Sequence, residues 1–395
     1  MLKKNVFYNE KTSTNPIKMN TINRSRCVIA NTPDLEMLHI FPDFPVFMGA
    51  TNQERSDDIM SDMVWSISKS SGAIQLASLI PLEDLYPASH GSGQVGNTWL
   101  SHHRAFATFI NNFNPESVFE IGGGHGILSR EYHALRNIPW TILEPNPTPA
   151  EGVNAKYKKG FFDSRYCYDG QYDAVAHSHV FEHTYEPDDF LRKIAGFMSS
   201  GMKLFFSVPN LPVMFKKKYC NSINFEHTFF YTEEMLFHLL TKNGFRILKQ
   251  EYFLDDHSIF IAALRDPHVS ILPLPQGAYS KHKELFYEYL SYYQNLVRDF
   301  NSSMLNNSNP IYLFGAHIFS QYLLNFGLKE SSISAVLDND SNKCDKRLYG
   351  TGLIIKSPEI LRDQERAIII LRAGAYDQEI KEQILSRINP RVEFW

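Results

Sequence analysis

One stretch, Val118–Gly126, limits what this chain can fold into more than any other part of the sequence. A short apolar run carries one acidic residue, Glu120, and then breaks into closely spaced glycines before a segment with helical periodicity. Glycines in this position allow a buried parallel strand to turn sharply into a helix, so that backbone N–H groups face a ligand. The pattern therefore predicts an α/β sheet that binds a ligand at the carboxyl ends of its strands.

An acidic residue after the next strand narrows the class of ligand. The predicted strand Trp140–Leu143 is followed by Glu144, about 20 residues after the glycines, where a carboxylate can accept from both hydroxyls of a ribose. The glycine spacing is not the dinucleotide GxGxxG pattern, and the sequence contains no GxxxxGK[ST] phosphate loop. A ligand with a ribose but no diphosphate fits, and S-adenosylmethionine is the candidate. The glycines have an alternative role in close strand–helix packing.

Composition excludes several other classes of protein. Hydrophobic residues make up 43% of the 395 residues, and no apolar run approaches the ~20 residues of a membrane span. The segment Met1–Asn20 has no apolar core, which argues against a secretory signal. A net charge of -4 argues against a nucleic-acid partner. The four cysteines are scattered and predict no disulfides, as in the cytoplasm: Cys27, Cys167, Cys220 and Cys344.

The order of predicted elements divides the chain into four parts. We predict a small irregular N-terminal module that binds substrate (1–97), a central α/β domain (98–266), a linker with a connecting helix (267–308) and a smaller Rossmann-like α/β domain (309–395). The central part alternates strands and helices, which favours a doubly wound sheet. Its strands are predicted at Val118–Ile121, Trp140–Leu143, Ala174–His177, Lys203–Val208, Phe245–Leu254 and Ile259–Leu264, and its helices include Pro187–Ser199 and Glu233–Asn243.

Histidines follow two of the predicted strands at the edge where open α/β sheets bind ligands. The segment His177–His183 comes after the third strand, and Phe225–Thr228 comes soon after the fourth. Methyl transfer from a sulfonium is an in-line displacement, so the protein must align the acceptor and remove its proton. These two segments are therefore the candidate sources of a general base.

With these motifs in place, the sequence resembles the sugar C-methyltransferase family, whose members use S-adenosylmethionine to methylate a keto carbon of nucleotide-linked deoxysugars. The resemblance covers nearly the whole chain and implies a class I methyltransferase sheet in the central domain. It also implies that Phe161 or Phe162 packs on adenine and that His179 lies near the methyl donor. The motifs that carry it are Glu120–Gly126, Glu144-Pro145, Phe161-Phe162, His179–His183, Pro209-Asn210, Phe314–Ala316, Leu337–Asp340 and Arg347–Thr351.

The N-terminal module departs from the family's pattern. The family has two Cys-x-x-Cys pairs that bind zinc, whereas this chain has Cys27 with Ala30 and then Ser68 with Ser71. A structural zinc site needs about four nitrogen or sulfur ligands, so we predict that the zinc is lost. The histidines of the segment His177–His183 lack the partner carboxylates or thiolates that usually complete a site, and we predict no metal there either.

The active-site segment departs as well. The family has Tyr-His-Glu-His after the fourth strand, with the last histidine as the proposed base, and this chain has Asn224-Phe225-Glu226-His227. The resemblance implies His227 as the base, oriented by Glu226, with His179 as a second candidate. Loss of the tyrosine removes a group that would steady a keto oxygen, whereas a hydroxyl acceptor needs only one aligned base.

These observations lead to a set of site predictions. For the cofactor we predict Glu120, Gly122, Gly124, Gly126, Glu144, Phe161, Phe162 and His179, and for the substrate Asn210, Asn224, Tyr86, His90 and His102. In the C-terminal domain Asp338, Asn339 or Arg372 is expected to line a cleft. The predicted function is O-methylation of a nucleotide-activated sugar in surface-glycan biosynthesis. The alternatives are C-methylation of a nucleotide-linked 4-keto-deoxysugar through an enolate, or donor binding without catalysis, and a homodimer is a candidate assembly.

Overall fold

The computed structural model describes residues 20–86, 96–163, 166–168, 170, 172–305 and 307–395. Its N-terminal part contains the strands β1 (Ile22–Asn23), β2 (Leu35–Pro45), β3 (Ala50–Thr51), β4 (Met60–Ser68), β5 (Ile74–Leu76) and β6 (Ser78–Leu79) and the short helix α1 (Leu82–Leu85). Strands β2, β4 and β5 form an antiparallel sheet. The part predicted to be irregular is therefore a regular sheet. Bulges at Met37/His39 and Phe41/Phe44 break the alternation that would have revealed its longest strand.

The central part contains most of the helices and the largest sheet. Its elements are α2 (Asn97–Asn111), β7 (Val118–Ile121), α3 (Ile127–His133), β8 (Trp140–Glu144), β9 (Lys156–Lys159), β10 (Ala174–Ser178), α4 (Pro187–Phe197), β11 (Lys203–Pro209), α5 (Leu211–Lys216), β12 (Phe229–Phe230), α6 (Glu233–Lys242), β13 (Phe245–Phe253), α7 (Leu254–His257) and β14 (Ser258–Arg265). The predicted strands agree with these to within one residue at each end. All four residues of β7 are buried, as expected of a strand in the middle of a parallel sheet.

The seven-stranded sheet has the order β13-β14-β11-β10-β7-β8-β9. Strands β7 to β11 that belong to it run parallel, and β14 runs antiparallel to both of its neighbours. Strand order reverses beside β7, because the chain goes from β7 outward to β8 and β9 and then returns to β10 on the other side. A ligand-binding crevice forms at such a switch point. The predicted α/β class with a Rossmann-like central sheet is confirmed.

The long helix α8 (Ala278–Met304) connects the central part to the second α/β unit. That unit contains β15 (Ile311–Phe314), α9 (Ile318–Asn325), β16 (Ala335–Leu337), β17 (Arg347–Leu348), β18 (Ile355–Lys356), β19 (Ile368–Leu371), α10 (Asp377–Gln383) and β20 (Glu393–Phe394). Five of its strands form a parallel sheet in the order β18-β16-β15-β19-β20. Among the described residues, no helix is both long and apolar enough to cross a bilayer.

Two strand pairings join parts of the chain that are distant in sequence. Strand β12, which lies within the range predicted for the central domain, pairs with β5 and so completes the N-terminal sheet. Strand β17 of the C-terminal unit pairs with β3. One cluster of buried apolar side chains extends through all three parts, and in it the ring of Phe44 contacts both Phe225 and Tyr322. The segment between β11 and β12 is thus packed against both flanking parts.

Candidate active site

The glycine loop after β7 is shaped by contacts that exclude larger side chains. A Cβ atom added at Gly123 would lie 2.7 Å from Cδ of Glu120 and 2.8 Å from Cγ2 of Ile142. Gly124 has a φ of +51°, in the left-handed region that favours glycine, and its N–H donates to Oε2 of Glu144 at 3.0 Å. The predicted loop residues therefore lie directly beside the predicted ribose-binding carboxylate.

Glu144 ends β8 at the carboxyl edge of the sheet. Besides the bond from Gly124, its Oε1 accepts from the N–H of Asn146 at 3.2 Å. Two backbone donors fix the carboxylate while its side chain stays partly exposed. A fixed, partly exposed carboxylate beside a loop too tight for a Cβ fits the ribose of a nucleoside ligand, as the spacing predicts.

Glu120 has a different environment from Glu144. Its side chain is buried under the glycine loop, and Oε2 accepts from Nε1 of Trp140 at 2.7 Å. Burial raises the pKa of Glu120 to about 7, against the opposing effect of this hydrogen bond. In the described contacts, Glu120 thus packs beneath the glycine loop and is held there by Trp140.

The two predicted adenine contacts differ in exposure. Phe162 packs against Phe190 and Tyr166, and the ammonium of Lys193 lies 5.0 Å from its ring centroid. Phe161 is 37% exposed. Phe161 is therefore the member of the pair that has ring surface free for a ligand, while Phe162 belongs to the core.

A first histidine cluster lies under the amino-terminal end of α2. Its members are His102, His179 and His257, whose rings surround Trp99 at centroid distances of 4.9 to 5.3 Å. Serine hydroxyls occupy several of their nitrogens, since Ser258 Oγ lies 2.9 Å from His179 Nε2 and 2.7 Å from His257 Nδ1. Burial lowers the pKa of His179 and His257 to about 3. These imidazoles are neutral near pH 7.

His102 and His179 have further features that bear on their predicted roles. His102 Nε2 lies 2.8 Å from Ser207 Oγ, and the side chain is fully buried. His179 has a φ of +51°, a strained conformation for a residue with a side chain. This backbone turn follows β10 directly and places His179 between the two histidine clusters, because its Nδ1 also lies 3.1 Å from Oε1 of Glu182.

The second cluster combines Glu182, His183 and His227. Glu182 is fully buried, and neither of its side-chain oxygens accepts a hydrogen bond from another residue. Burial raises the pKa of Glu182 to about 7 and lowers the pKa of His183 and of His227 to about 4. The rings of His183 and His227 lie 5.1 Å apart.

The structure places Glu226 differently from the oriented pair that the sequence predicts. The described contacts of its carboxylate are a hydrogen bond with Tyr86 and a distance of 4.0 Å to Nδ1 of His183. Tyr86 Oη in turn lies 3.1 Å from His183 Nδ1. Tyr86 therefore lies next to His183, and its role in substrate binding stays a prediction. The predicted His90 lies outside the described residues.

The two predicted substrate-binding asparagines are engaged with backbone. Asn224 Oδ1 accepts from the N–H groups of Glu226 and His227, both at 2.8 Å, and its Nδ2 donates to Asn221 O. Asn210 Nδ2 donates to Asp255 O at 2.8 Å. Asn224 thus shapes the loop that carries His227, and its role in substrate binding stays a prediction.

Sequence reasoning missed several members of the two clusters. Glu182 lies within the motif His179–His183 that carried the resemblance. The adjacent His183 is the sequence feature that could have indicated a cluster there. Trp99 and His257 belong to no motif, because they reach the site from α2 and from the turn before β14. His177 was grouped with His179 and His183 by spacing, but it stacks on Phe206 at 4.9 Å and belongs to neither cluster.

The residues predicted to line a C-terminal cleft are separate from one another. Asp338 accepts from the N–H of Ala316 at 2.8 Å and pairs with Lys343. Asn339 bonds Gln383, and Arg372 donates to the carbonyls of Leu371 and Trp395. The C-terminal unit instead approaches the first histidine cluster through Tyr376, which hydrogen bonds Trp99.

Cys27 lies in a turn whose backbone and side-chain groups hydrogen bond its sulfur. The backbone N–H groups of Ile29 and Ala30 donate to its Sγ at 3.4 and 3.3 Å, and Ser71 Oγ lies 3.1 Å from the same sulfur. Ser68 Oγ accepts from the N–H of Ser71. Cys27, Ser71 and Ser68 are thus connected by hydrogen bonds, and the loss of a zinc site stays a prediction from the resemblance.

Sequence comparison adds one finding to this geometry. Residues 99–250 match the family model described as "Methyltransferase domain". This part of the chain is a methyltransferase domain. The domain contains the glycine loop, Glu144 and both histidine clusters except His257, and S-adenosylmethionine is the cofactor of class I domains of this kind, as predicted.

Solved structures resemble only part of this chain. Magnesium protoporphyrin IX methyltransferase from Synechocystis PCC 6803 is 19% identical, with 45% of this chain and 90% of that chain covered at a TM-score of 0.35. An S-adenosylmethionine dependent methyltransferase from Mesorhizobium loti is 14% identical, with 40% and 96% covered at a TM-score of 0.32. Such scores give no information on the substrate. The comparison with curated proteins finds no match.

Proposed function

We propose that the protein transfers a methyl group from S-adenosylmethionine to a hydroxyl of a nucleotide-activated sugar. The observation that carries the donor assignment is the bond from the Gly124 N–H to Glu144, which fixes a carboxylate at the switch point of the sheet. The ring of Phe161 offers apolar surface for the adenine. The expected location is the cytoplasm, because the four scattered cysteines predict no disulfides.

The acceptor is proposed to bind beside the second cluster, where neutral imidazoles can take its proton. S-adenosylmethionine supplies a methyl group already activated on a sulfonium. His227 is the proposed general base, because the resemblance implies a base at this position and burial, which lowers its pKa to about 4, leaves the imidazole unprotonated. Asn224 holds the backbone of Glu226 and His227 in place. Tyr86 and Glu226 are partly exposed and lie beside His183 in the second cluster.

The sugar assignment rests on the resemblance, and the choice of oxygen over carbon rests on Asn224. A keto acceptor needs a hydrogen-bond donor that stabilises an enolate oxygen. The carboxamide of Asn224 is already hydrogen bonded to backbone groups. The second candidate, C-methylation of a 4-keto sugar, is favoured by one observation. The phenol of Tyr86 lies beside His183 and Glu226 and places a tyrosine hydroxyl at the site.

The test uses a donor with a carbon-13-labelled methyl group and a panel of nucleotide sugars, with the products observed by NMR. A methyl signal on an ether oxygen supports the proposal, and a signal on a ring carbon replaces it with C-methylation. Donor binding without transfer to any acceptor favours a protein that binds the donor without catalysis. His227→Asn is expected to lower turnover by about 10²–10⁴-fold, while His238→Asn, on α6 with its ring bonded to Leu272 O, leaves turnover unchanged.

A further inference from the structure

Glu182 is a buried acid without a partner that neutralises it. Its side chain is 0% exposed, and neither carboxylate oxygen accepts a hydrogen bond from another residue. Nδ1 of His179 lies 3.1 Å from Oε1, but out of line for a hydrogen bond. An unpaired buried carboxylate is costly, and proteins usually pair such a group or place it on a cation.

Two imidazoles from different loops face this carboxylate. His183 Nε2 lies 4.0 Å from Glu182 Oε1, and Nδ1 of His227 is buried without a hydrogen-bond partner. One ligand atom from each of the three residues lies within 4.8 Å of the other two. An ion at about 2.1 Å from each atom needs only small side-chain rotations to be reached by all three.

The orientation of His183 is the one that a metal ligand requires. Its Nδ1 lies 3.1 Å from the backbone carbonyl of Glu226. A carbonyl can only accept, so Nδ1 carries the proton and Nε2 presents its lone pair toward Glu182. Metal-bound histidines are commonly fixed in this way by a second hydrogen bond to a carbonyl.

We propose that Glu182, His183 and His227 bind one divalent transition-metal ion. Two imidazoles and one carboxylate suit Mn²⁺, Fe²⁺, Co²⁺, Ni²⁺ or Zn²⁺ and leave coordination positions for water or a hydroxyl. This assignment replaces the prediction of no metal, because the carboxylate judged missing from the sequence is supplied by Glu182. The cluster of His102, His179 and His257 is the weaker candidate, since it has no carboxylate and serines occupy its nitrogens.

The role of the ion in catalysis rests on the proposed function, whereas its binding does not. A cation at this position lowers the pKa of an acceptor hydroxyl that coordinates it, so that the proton passes to solvent water. His227 is then a ligand instead of the general base, the ion and solvent water take over the deprotonation of the acceptor, and Glu182 becomes essential. In a metal-free site, where His227 is the base, Glu182 has no role in catalysis.

The test is a titration of the full-length, metal-stripped protein with Co²⁺, followed by the visible absorption of the bound ion. One equivalent is expected to bind to the wild type, and Glu182→Gln and His227→Ala are each expected to weaken binding by at least about tenfold. His257→Ala, from the other cluster, and His238→Ala, on α6, are expected to bind as the wild type does. Circular dichroism verifies folding, and the isosteric Glu182→Gln stays informative if His227→Ala fails to fold.

Two outcomes would overturn the metal site. One is no Co²⁺ binding by the folded wild type, and the other is binding that survives Glu182→Gln but is lost in His257→Ala. A separate calorimetric titration with S-adenosylhomocysteine keeps the two proposals apart. Protein that binds the nucleoside without Co²⁺ loses only the metal site, and protein that binds Co²⁺ without the nucleoside loses only the proposed methyl transfer.

Discussion

At the scale of single residues, Glu120 shows how the glycine loop affects stability. The loop seals the carboxyl group from water, and Trp140 donates its single indole N–H to it. Burial penalises the charged form more than this hydrogen bond favours it, so the folded-state pKa rises from 4.5 to about 7. Between those two values the folded protein holds a proton that the unfolded chain has released.

Ionisation of Glu120 is predicted to lower the free energy of unfolding as the pH rises. Because the native state binds more protons between pH 4.5 and about 7, the free energy of unfolding falls as the pH rises through that window and levels off above it. Glu120→Gln keeps an acceptor for Trp140 but cannot ionise. Relative to the wild type, we expect the variant to gain about 2–3 kcal/mol between pH 5 and pH 8, measured by urea denaturation. Parallel pH profiles for the two proteins would contradict this.

At the residue level, the sequence could predict contacts between residues that are close along the chain. The glycine loop and Glu144 belong to one strand–helix–strand unit, so a spacing of about 20 residues determines their contact. The second histidine cluster needs Glu182 from the loop after β10 and His227 from the loop before β12. No local pattern fixes that approach, and the sequence therefore predicted His227 as a base beside Glu226 instead of a neighbour of His183.

At the scale of elements, Arg24 connects the N-terminal sheet to both loops of the site. Its guanidinium is 8% exposed and donates to the backbone carbonyls of Leu76, Thr228 and Tyr185. Thr228 directly follows His227, and its N–H donates to Glu182 O at 3.1 Å. A residue directly after β1 thus sets the distance between the two loops that carry the second cluster.

Replacing Arg24 is expected to loosen this connection. Arg24→Met removes the hydrogen bonds to three carbonyls, of which Thr228 O keeps a bond from the N–H of Leu76, and should lower the free energy of unfolding by about 2–4 kcal/mol. Arg26→Met is the matched control, because the Arg26 side chain is exposed and bonds only Asn31 among its described contacts. Its cost should stay below about 0.5 kcal/mol. Equal costs for the two variants in chemical denaturation would exclude this role for Arg24.

Elements differ in how well their sequence reveals them. Strands β7, β8, β10 and β11 are short apolar runs bounded by turns, which is the pattern of a buried parallel strand. Strand β12 has only two residues and exists because β5 pairs with it. Its position is a property of the tertiary structure, which is why the predicted boundary at residue 97 did not anticipate a sheet shared by two parts of the chain.

At the scale of the whole molecule, the N-terminal and C-terminal parts are fastened to each other by a buried ion pair. Arg347 donates to both oxygens of Asp58, at 2.6 and 2.9 Å, and the side chains are 11% and 2% exposed. Gly350 N–H also donates to Asp58, at 2.8 Å. The pair lies beside the β3–β17 pairing, so both interactions close the same junction.

The buried pair should contribute far more than an exposed pair at the same junction. Asp58→Asn leaves the charge of Arg347 buried without its partner, and we expect a loss of about 3 kcal/mol in the free energy of unfolding. Arg55 and Glu330 form the exposed comparison, with side chains 60% and 33% exposed. Glu330→Gln should cost less than about 1 kcal/mol. Denaturant unfolding measures both losses. A larger loss for Asp58→Asn than for Glu330→Gln supports a junction that depends on Asp58, and equal losses would contradict it.

The β3–β17 pairing also has a consequence for the order in which the protein is made. Strand β3 leaves the ribosome early, while its partner at Arg347–Leu348 is translated about 300 residues later. At about 5–20 residues per second, β3 waits roughly 15–60 s for that partner. The edge strand β5 waits in the same way for Phe229–Phe230. Nascent chains stalled before residue 347 therefore expose unpaired strand edges, the kind of surface that chaperones shield during synthesis.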